Sequence, residues 1–143
     1  MTRTASLIST ILFGSIAALG SSSALAAGIT TKPPANFKKA SSLAKLPDFI
    51  PGLGTLYVDP KTLPVGPWLG YNHKGRLVDI VYMVPLSDLD GKKSFTDLGT
   101  LARGLEINHT DIEYNPGHPG VEEPHYHIVE WLISKKAQEQ EMK

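Results

Sequence analysis

Apolar residues along this chain come mostly in short runs bounded by glycine, proline and asparagine, which is typical of β-strands joined by tight turns. Two such runs, PWLGY at 67–71 and RLVDIVYMV at 76–84, flank the tetrapeptide NHKG at 72–75. The tetrapeptide predicts a hairpin turn, with Gly75 at a position of positive φ. The second run is apolar on both faces, so we expect an inner strand covered on two sides, with Leu77, Asp79, Val81 and Met83 on one face.

Three more segments have the composition of strands, and they determine the fold class. A brief strand is predicted at 55–58, and longer ones at 105–114 and 124–134. The last two are separated by NPGHPG at 115–120, a run of turn-forming residues. The pattern therefore predicts a mainly β to α+β fold, a small single domain of antiparallel strands.

Helical signals are weaker, and they predict one or two short helices. Asn36 is a candidate N-cap for a helix that ends at Leu46, before Pro47. Single helical turns are expected at 86–89 and at 95–98. Residues 135–143 are polar apart from Ala137 and Met142, which predicts either a frayed helix or a disordered tail.

The N-terminal 26 residues have the three parts of a cleavable secretory signal. Arg3 is the only charged side chain, an apolar stretch occupies 7–19, and Ser23-Ala24-Leu25-Ala26 ends in the small-x-small motif of signal peptidase sites. The apolar stretch is short for a membrane span, and no stop-transfer charge follows it. We therefore expect cleavage before Ala27, no stable membrane span afterwards, and export to the periplasm or the exterior of a bacterium.

Cleavage would leave 117 of the 143 residues, enough for one domain with its own core. We expect an N-terminal arm and short helix at 27–50, a histidine-rich β domain at 51–134 and a polar tail at 135–143. The chain has no cysteine, whereas small extracellular domains of animals usually rely on disulfides. One of the 14 basic residues lies in the leader and all 14 acidic residues follow it, so the mature net charge of −1 gives no reason to expect nucleic-acid binding.

Four of the five histidines lie within residues 109–130, and they are the main candidates for chemistry. His125 and His127 are two apart on a predicted strand, so both rings leave the same face about 6.6–6.8 Å apart along the chain. Neutral imidazole is the commonest protein ligand for zinc and related ions. His109 on the preceding strand, or His118 in the connecting loop, would supply a third nitrogen.

The same residues also allow other interpretations. An oxygen ligand could come from Glu122, Glu123 or Glu130, although Glu130 reaches the histidine face only through a β-bulge. Alternatively, His125 and His127 are merely polar residues of a half-buried strand. The chain has neither a cysteine nor a G-x-S-x-G motif, so it offers no anchor for nucleophilic acyl transfer, and we assign no catalytic residue.

Three stretches resemble an uncharacterised family, a domain of unknown function found in small histidine-rich exported bacterial proteins. They are GLGTLYVDP, PWLGYNHKGRLVDIVYMVP and HTDIEYNPGHPGVEEPHYHIVEW, and the resemblance extends from Pro51 to Ile133. Three histidines match the family pattern: His109, His118 and His125. Three positions depart from it: Leu56 and Val129 replace histidines, and His127 replaces an aspartate. The resemblance implies an exported single domain, supports a metal site in part, and brings no established activity.

A fainter resemblance links PHYHIVE at 124–130 to the first metal motif of cupins, in which H-x-H precedes a glutamate. No histidine follows His127, so the second cupin motif is missing.

Three hypotheses follow from these residues. The first is an exported domain that binds zinc or another divalent transition metal ion. The second is a structural or interaction module without a metal, with assembly into a homo-oligomer as one option. The third is a cupin-like metalloenzyme, and of these we expect binding rather than catalysis.

Overall fold

The computed structural model describes residues 31–98 and 104–143, so the signal sequence and the cleavage site before Ala27 lie outside the described residues. The described chain forms one six-stranded antiparallel sheet with short helices, which confirms the predicted fold class. The elements along the chain are β1 (Lys38–Lys39), α1 (Ala40–Leu43), β2 (Thr55–Val58), a 3₁₀ turn (Pro60–Thr62), β3 (Trp68–Tyr71), β4 (Leu77–Pro85), α2 (Leu86–Asp90), β5 (His109–Asn115), β6 (His125–Trp131) and α3 (Lys135–Glu141). Across the sheet the strand order is β1-β2-β3-β4-β6-β5.

The predicted hairpin is present as β3 and β4, joined by a turn that Asn72 organises. The Asn72 Oδ1 accepts hydrogen bonds from the backbone N–H groups of Lys74 and Arg76, both at 3.0 Å. The Gly75 N–H donates to the Asn72 carbonyl at 2.9 Å, and Gly75 has a φ of +69°. Asn72 therefore supplies the side-chain acceptor, and Gly75 the left-handed conformation, that this turn requires.

Strand β4 is the inner strand that its apolar sequence predicts, since it pairs with β3 and β6 and all nine of its residues are buried. One detail of the prediction is wrong. The register with β3 shifts between Gly70 and Tyr71, so that Gly70 stands opposite Asp79 while Tyr71 stands opposite Leu77. This bulge moves Leu77 to the face opposite Val81 and Met83, because the extra residue in β4 breaks the alternation.

The predicted helix at 36–46 is wrong except for the four residues of α1. Lys38 and Lys39 instead pair with β2, and the Asn36 amide donates to Asp59 Oδ2 at 2.6 Å rather than capping a helix. Pairing with an open sheet edge outweighs the helical periodicity here. The turn at 86–89 is confirmed as part of α2, whereas 95–98 is not helical and Asp97 has a φ of +56°.

The C-terminal polar segment is a helix, α3, that packs on the sheet. Ser134 caps it, its side chain accepting from the Ala137 N–H at 3.3 Å. Ala137 and Met142 are buried, and the Met142 carbonyl accepts a hydrogen bond at 2.7 Å from the N–H of Gly52. The helix is therefore tied to the loop at 46–53.

The sheet has two faces, and the core is divided between them. Face A carries His125, His127, Val129 and Trp131 of β6, and it is covered by α3 and by the loop at 46–53. Face B carries Ile80, Tyr82 and Val84 of β4 with Ile128 and Glu130 of β6. None of the helices in the described part of the chain has the length and apolar character that a membrane crossing needs.

Candidate metal centre

Strand β6 places His125 and His127 side by side on face A. Both side chains are buried, with exposed fractions of 0% and 5%. The alternation of buried and half-buried residues along β6 puts both rings on the covered face, as the sequence predicts. Their Nε2 atoms lie 2.9 Å apart.

The loop between β5 and β6 brings a third histidine to this pair. His118-Pro119-Gly120-Val121 forms a tight turn closed by two backbone hydrogen bonds between His118 and Val121, at 2.9 and 3.0 Å. Proline followed by glycine with a φ of +95° is the sequence that a type II turn demands. Val121 is buried and anchors the turn, and His118 Nε2 lies 3.4 Å from His127 Nε2.

Backbone carbonyls fix the proton positions of two of these rings. His125 Nδ1 lies 2.7 Å from the Glu123 carbonyl oxygen, and His118 Nδ1 lies 3.0 Å from that of Pro119. A carbonyl can only accept, so in both rings Nδ1 must carry the hydrogen and donate it. In the neutral rings the Nε2 atoms of His118 and His125 therefore present lone pairs to His127.

The spacing of these nitrogens is close to what a small metal ion requires. Bonds of 2.0–2.1 Å in a tetrahedral arrangement separate two ligand nitrogens by about 3.3–3.4 Å. The 3.4 Å separation of His118 and His127 meets that value, and the 2.9 Å separation of His125 and His127 is slightly shorter. One ligand atom from each of the three residues lies within 4.8 Å of the other two. The three histidines could therefore hold one metal ion.

The surroundings disfavour the charged form of two of these imidazoles. Burial lowers the pKa of His127 to about 4, and the neighbouring His125 and His118 contribute to this shift. Burial also lowers the pKa of His125, against the opposing effect of its hydrogen bond to the Glu123 carbonyl. Neutral rings have the free lone pairs that a metal ion needs.

His109, the other predicted source of a third ligand, does not join the cluster. It stands opposite Trp131 at the far end of the β5–β6 pairing, four residues along β6 from His127, or about 13 Å. Its Nε2 lies 3.0 Å from Gln138 Oε1, and its ring stacks on that of Trp131. His109 therefore lies at the end of face A that α3 covers, away from the other three histidines.

The predicted glutamate ligands are also outside the cluster. Glu130 projects from face B, where burial raises its pKa. The register of β6 with both neighbouring strands is continuous from His125 to Trp131, so no bulge turns Glu130 toward the histidines. The described acidic residues, Glu122 and Glu123 among them, are absent from the histidine group. The H-x-H and glutamate set of a cupin-like centre is therefore not assembled.

A pocket of about 400 Å³ adjoins the histidine cluster on face A. His118 and His127 line one part of it, and apolar side chains of the sheet and of the loop at 46–53 line most of the rest. This pocket was not predicted from the sequence. The signal was the apolar content of the 46–53 loop, LPDFIPGL, which is high for a solvent-exposed connection.

Among known proteins, similarity to this chain is found in solved structures. No protein-family model matches the chain, and neither does any curated protein. Among solved structures, the chain is similar to the hypothetical protein TTHB210 from Thermus thermophilus, with 48% sequence identity and a TM-score of 0.61. The match covers 68% of this chain and 93% of that protein.

Proposed function

We propose that this chain, which belongs to the same family as the hypothetical protein TTHB210 from Thermus thermophilus, binds a divalent transition metal ion through His118, His125 and His127. The proposed ligand atoms are the three Nε2 nitrogens. The role is binding, and we assign no catalytic residue to it.

The observation that carries the proposal is the pair of hydrogen bonds from Nδ1 to backbone carbonyls. Metal-binding histidines usually donate their second ring N–H to a carbonyl or a carboxylate, which fixes the tautomer and the ring orientation. The bonds from His125 to Glu123 and from His118 to Pro119 have this form. Two lone pairs, on His118 Nε2 and His125 Nε2, face His127 Nε2. In the absence of an ion, His127 Nε2 can donate a hydrogen to only one of them, so the other receives no hydrogen bond from it.

Zinc is the ion that we propose for this site. Three neutral imidazoles suit zinc, copper and nickel, whereas magnesium and calcium prefer oxygen ligands. Three protein ligands also leave one position of a tetrahedral zinc ion for a non-protein ligand, as in open zinc sites.

The test is a thermal melt of the untagged mature protein at increasing zinc concentration. A ligand that binds only the native state raises the melting temperature as its concentration increases. Replacing His125 or His127 with alanine should abolish this rise and weaken zinc binding by at least about 100-fold, since loss of an outer-shell partner alone typically costs 10–100-fold.

Two other histidines give matched controls. His109 contacts Gln138, and His73 stacks on Phe49 in the β3–β4 turn, so neither is expected to bind the ion. The zinc-induced shift of the melting temperature should persist in His109→Ala and His73→Ala, whatever their own stability. If zinc, copper and nickel all leave the wild-type melt unchanged relative to His125→Ala, the proposal fails and the interaction-module hypothesis takes its place.

A further inference from the structure

The pocket beside the histidine cluster is lined mainly by apolar side chains. Its floor on face A includes Trp68 and Trp131, with Leu56, Met83 and Val129. Both indole N–H groups are already used: Trp68 donates to the Pro64 carbonyl at 2.9 Å, and Trp131 donates to Asp111 at 3.0 Å. Neither indole therefore has a free N–H for a pocket ligand, and because the two rings are only 3% and 1% exposed, the apolar surface open to a ligand comes mainly from the half-buried side chains of the loop at 46–53.

Most of the polar side chains of the pocket lie near the histidine cluster, Gln138 on α3 being the exception. Glu113 stands opposite His127 in the β5–β6 register, and Asn115 stands opposite His125, so all four lie on face A. No lysine or arginine is among the described residues that line the pocket. A ligand that fills the pocket therefore meets the proposed ion at one end and a mainly apolar lining elsewhere.

From these observations we infer that the pocket binds a small, mostly apolar molecule through one nitrogen or oxygen donor, which occupies the remaining position of the metal ion. This inference rests on the proposed function. Because His118 and His127 line the pocket as well as the cluster, an ion that they share borders the pocket. The volume of about 400 Å³ lies within the range of small-molecule sites.

The experiment uses the untagged protein loaded with cobalt, whose visible absorption bands report a change in metal ligands. The probe is benzimidazole, a neutral two-ring molecule with one donor nitrogen. We expect saturable changes in the cobalt bands on addition of benzimidazole. Cobalt with His125→Ala protein serves as the blank.

Two leucine variants test whether the probe occupies the pocket. Leu53 lines it, so Leu53→Trp should fill part of its volume and weaken benzimidazole binding by at least about tenfold. Leu43 is exposed on α1, so Leu43→Trp should leave binding within about twofold of wild type. Both variants should retain the cobalt bands, because neither replaces a proposed metal ligand.

The outcomes separate this inference from the proposed function. Cobalt bands that do not respond to benzimidazole would overturn the inference and leave metal binding intact. Equal binding of benzimidazole by Leu53→Trp and by wild type would also overturn it. If wild-type protein shows no cobalt bands beyond those of His125→Ala, the proposed function fails, and the inference fails with it.

Discussion

Asp79 lies fully buried on face A, and within the described chain neither of its carboxylate oxygens has a hydrogen-bond partner. Burial raises the pKa of Asp79 well above its usual value. The side chain fits because Gly70, opposite it on β3, has no Cβ; a Cβ there would collide with the carboxylate. The Asp79–Gly70 pair is thus well matched in shape, but burial of an unpaired carboxyl group costs stability.

Replacing Asp79 with asparagine should stabilise the protein, by an amount that depends on pH. The raised folded-state pKa means that the folded protein holds a proton that the unfolded chain releases above about pH 4, so wild-type stability falls as pH rises toward the folded-state pKa. In that range Asp79→Asn should gain about 1.4 kcal/mol over wild type per pH unit. Urea unfolding at several pH values measures this, and a difference that does not change with pH would contradict it.

At the scale of elements, local pattern predicted the histidine face of β6, the inner position of β4 and the β3–β4 hairpin, but neither the β5–β6 register nor the β1–β2 pairing. The alternation in HYHIVEW sufficed to place His125 and His127 together, and the doubly apolar run at 77–84 sufficed to identify the inner strand. The third histidine depends on the β5–β6 register, which pairs Asn115 with His125 and leaves His118 in the loop. Periodicity along one strand contains no information about that register. The pairing of β1 with β2, which replaced the predicted helix, is non-local in the same way.

Two isoleucine-to-aspartate variants test the different positions of β4 and β5 in the sheet. Ile80 on β4 is 1% exposed, whereas Ile112 on the edge strand β5 is 67% exposed. Ile80→Asp should unfold the domain, because it buries a charge without a partner. Ile112→Asp should change stability by less than about 1 kcal/mol. Circular dichroism shows whether each variant is folded, and urea unfolding measures its stability. A cooperatively folded Ile80→Asp protein would contradict the inner position of β4.

Distant parts of the chain meet on face A to enclose the pocket and the histidine cluster. The loop at 46–53 is bonded to the end of α3 through Gly52 and Met142, and Asn72 of the hairpin donates to Glu141 of the same helix at 2.6 Å. At the other end of the pocket, His118 is held by its own turn. Removal of the C-terminal helix would therefore loosen the pocket without touching a proposed metal ligand.

We also propose that the protein is exported and that its mature chain begins at Ala27. The basis is the leader sequence alone, with its apolar stretch and its small-x-small motif ending at Ala26. Intact-mass analysis of protein from the periplasm or the medium should give the mass of residues 27–143. Exported protein that still contains Met1 would contradict the proposal.

The whole molecule should lose stability in acid through the histidine cluster, in the direction opposite to the effect of Asp79. The pKa of His127 is lowered to about 4 and that of His125 is also lowered, so below about pH 6.5 the unfolded chain binds protons that the folded protein does not. The free energy of unfolding of the metal-free protein should therefore decrease as pH falls from 6.5 toward 4. His127 alone accounts for about 2–3 kcal/mol of this decrease.

Two variants separate the titration of His127 from that of Asp79, because each variant removes the pH dependence due to one group and leaves that due to the other. His127→Gln should flatten the decrease between pH 6.5 and 4, whereas Asp79→Asn should steepen it by removing the opposing gain in acid. Saturating zinc should steepen the wild-type decrease further, because protons must displace the ion before they reach the Nε2 atoms. Urea unfolding of the metal-free and zinc-loaded proteins across this pH range measures all three effects. An unchanged slope in metal-free His127→Gln would mean that His127 is not held neutral by its surroundings in the folded protein.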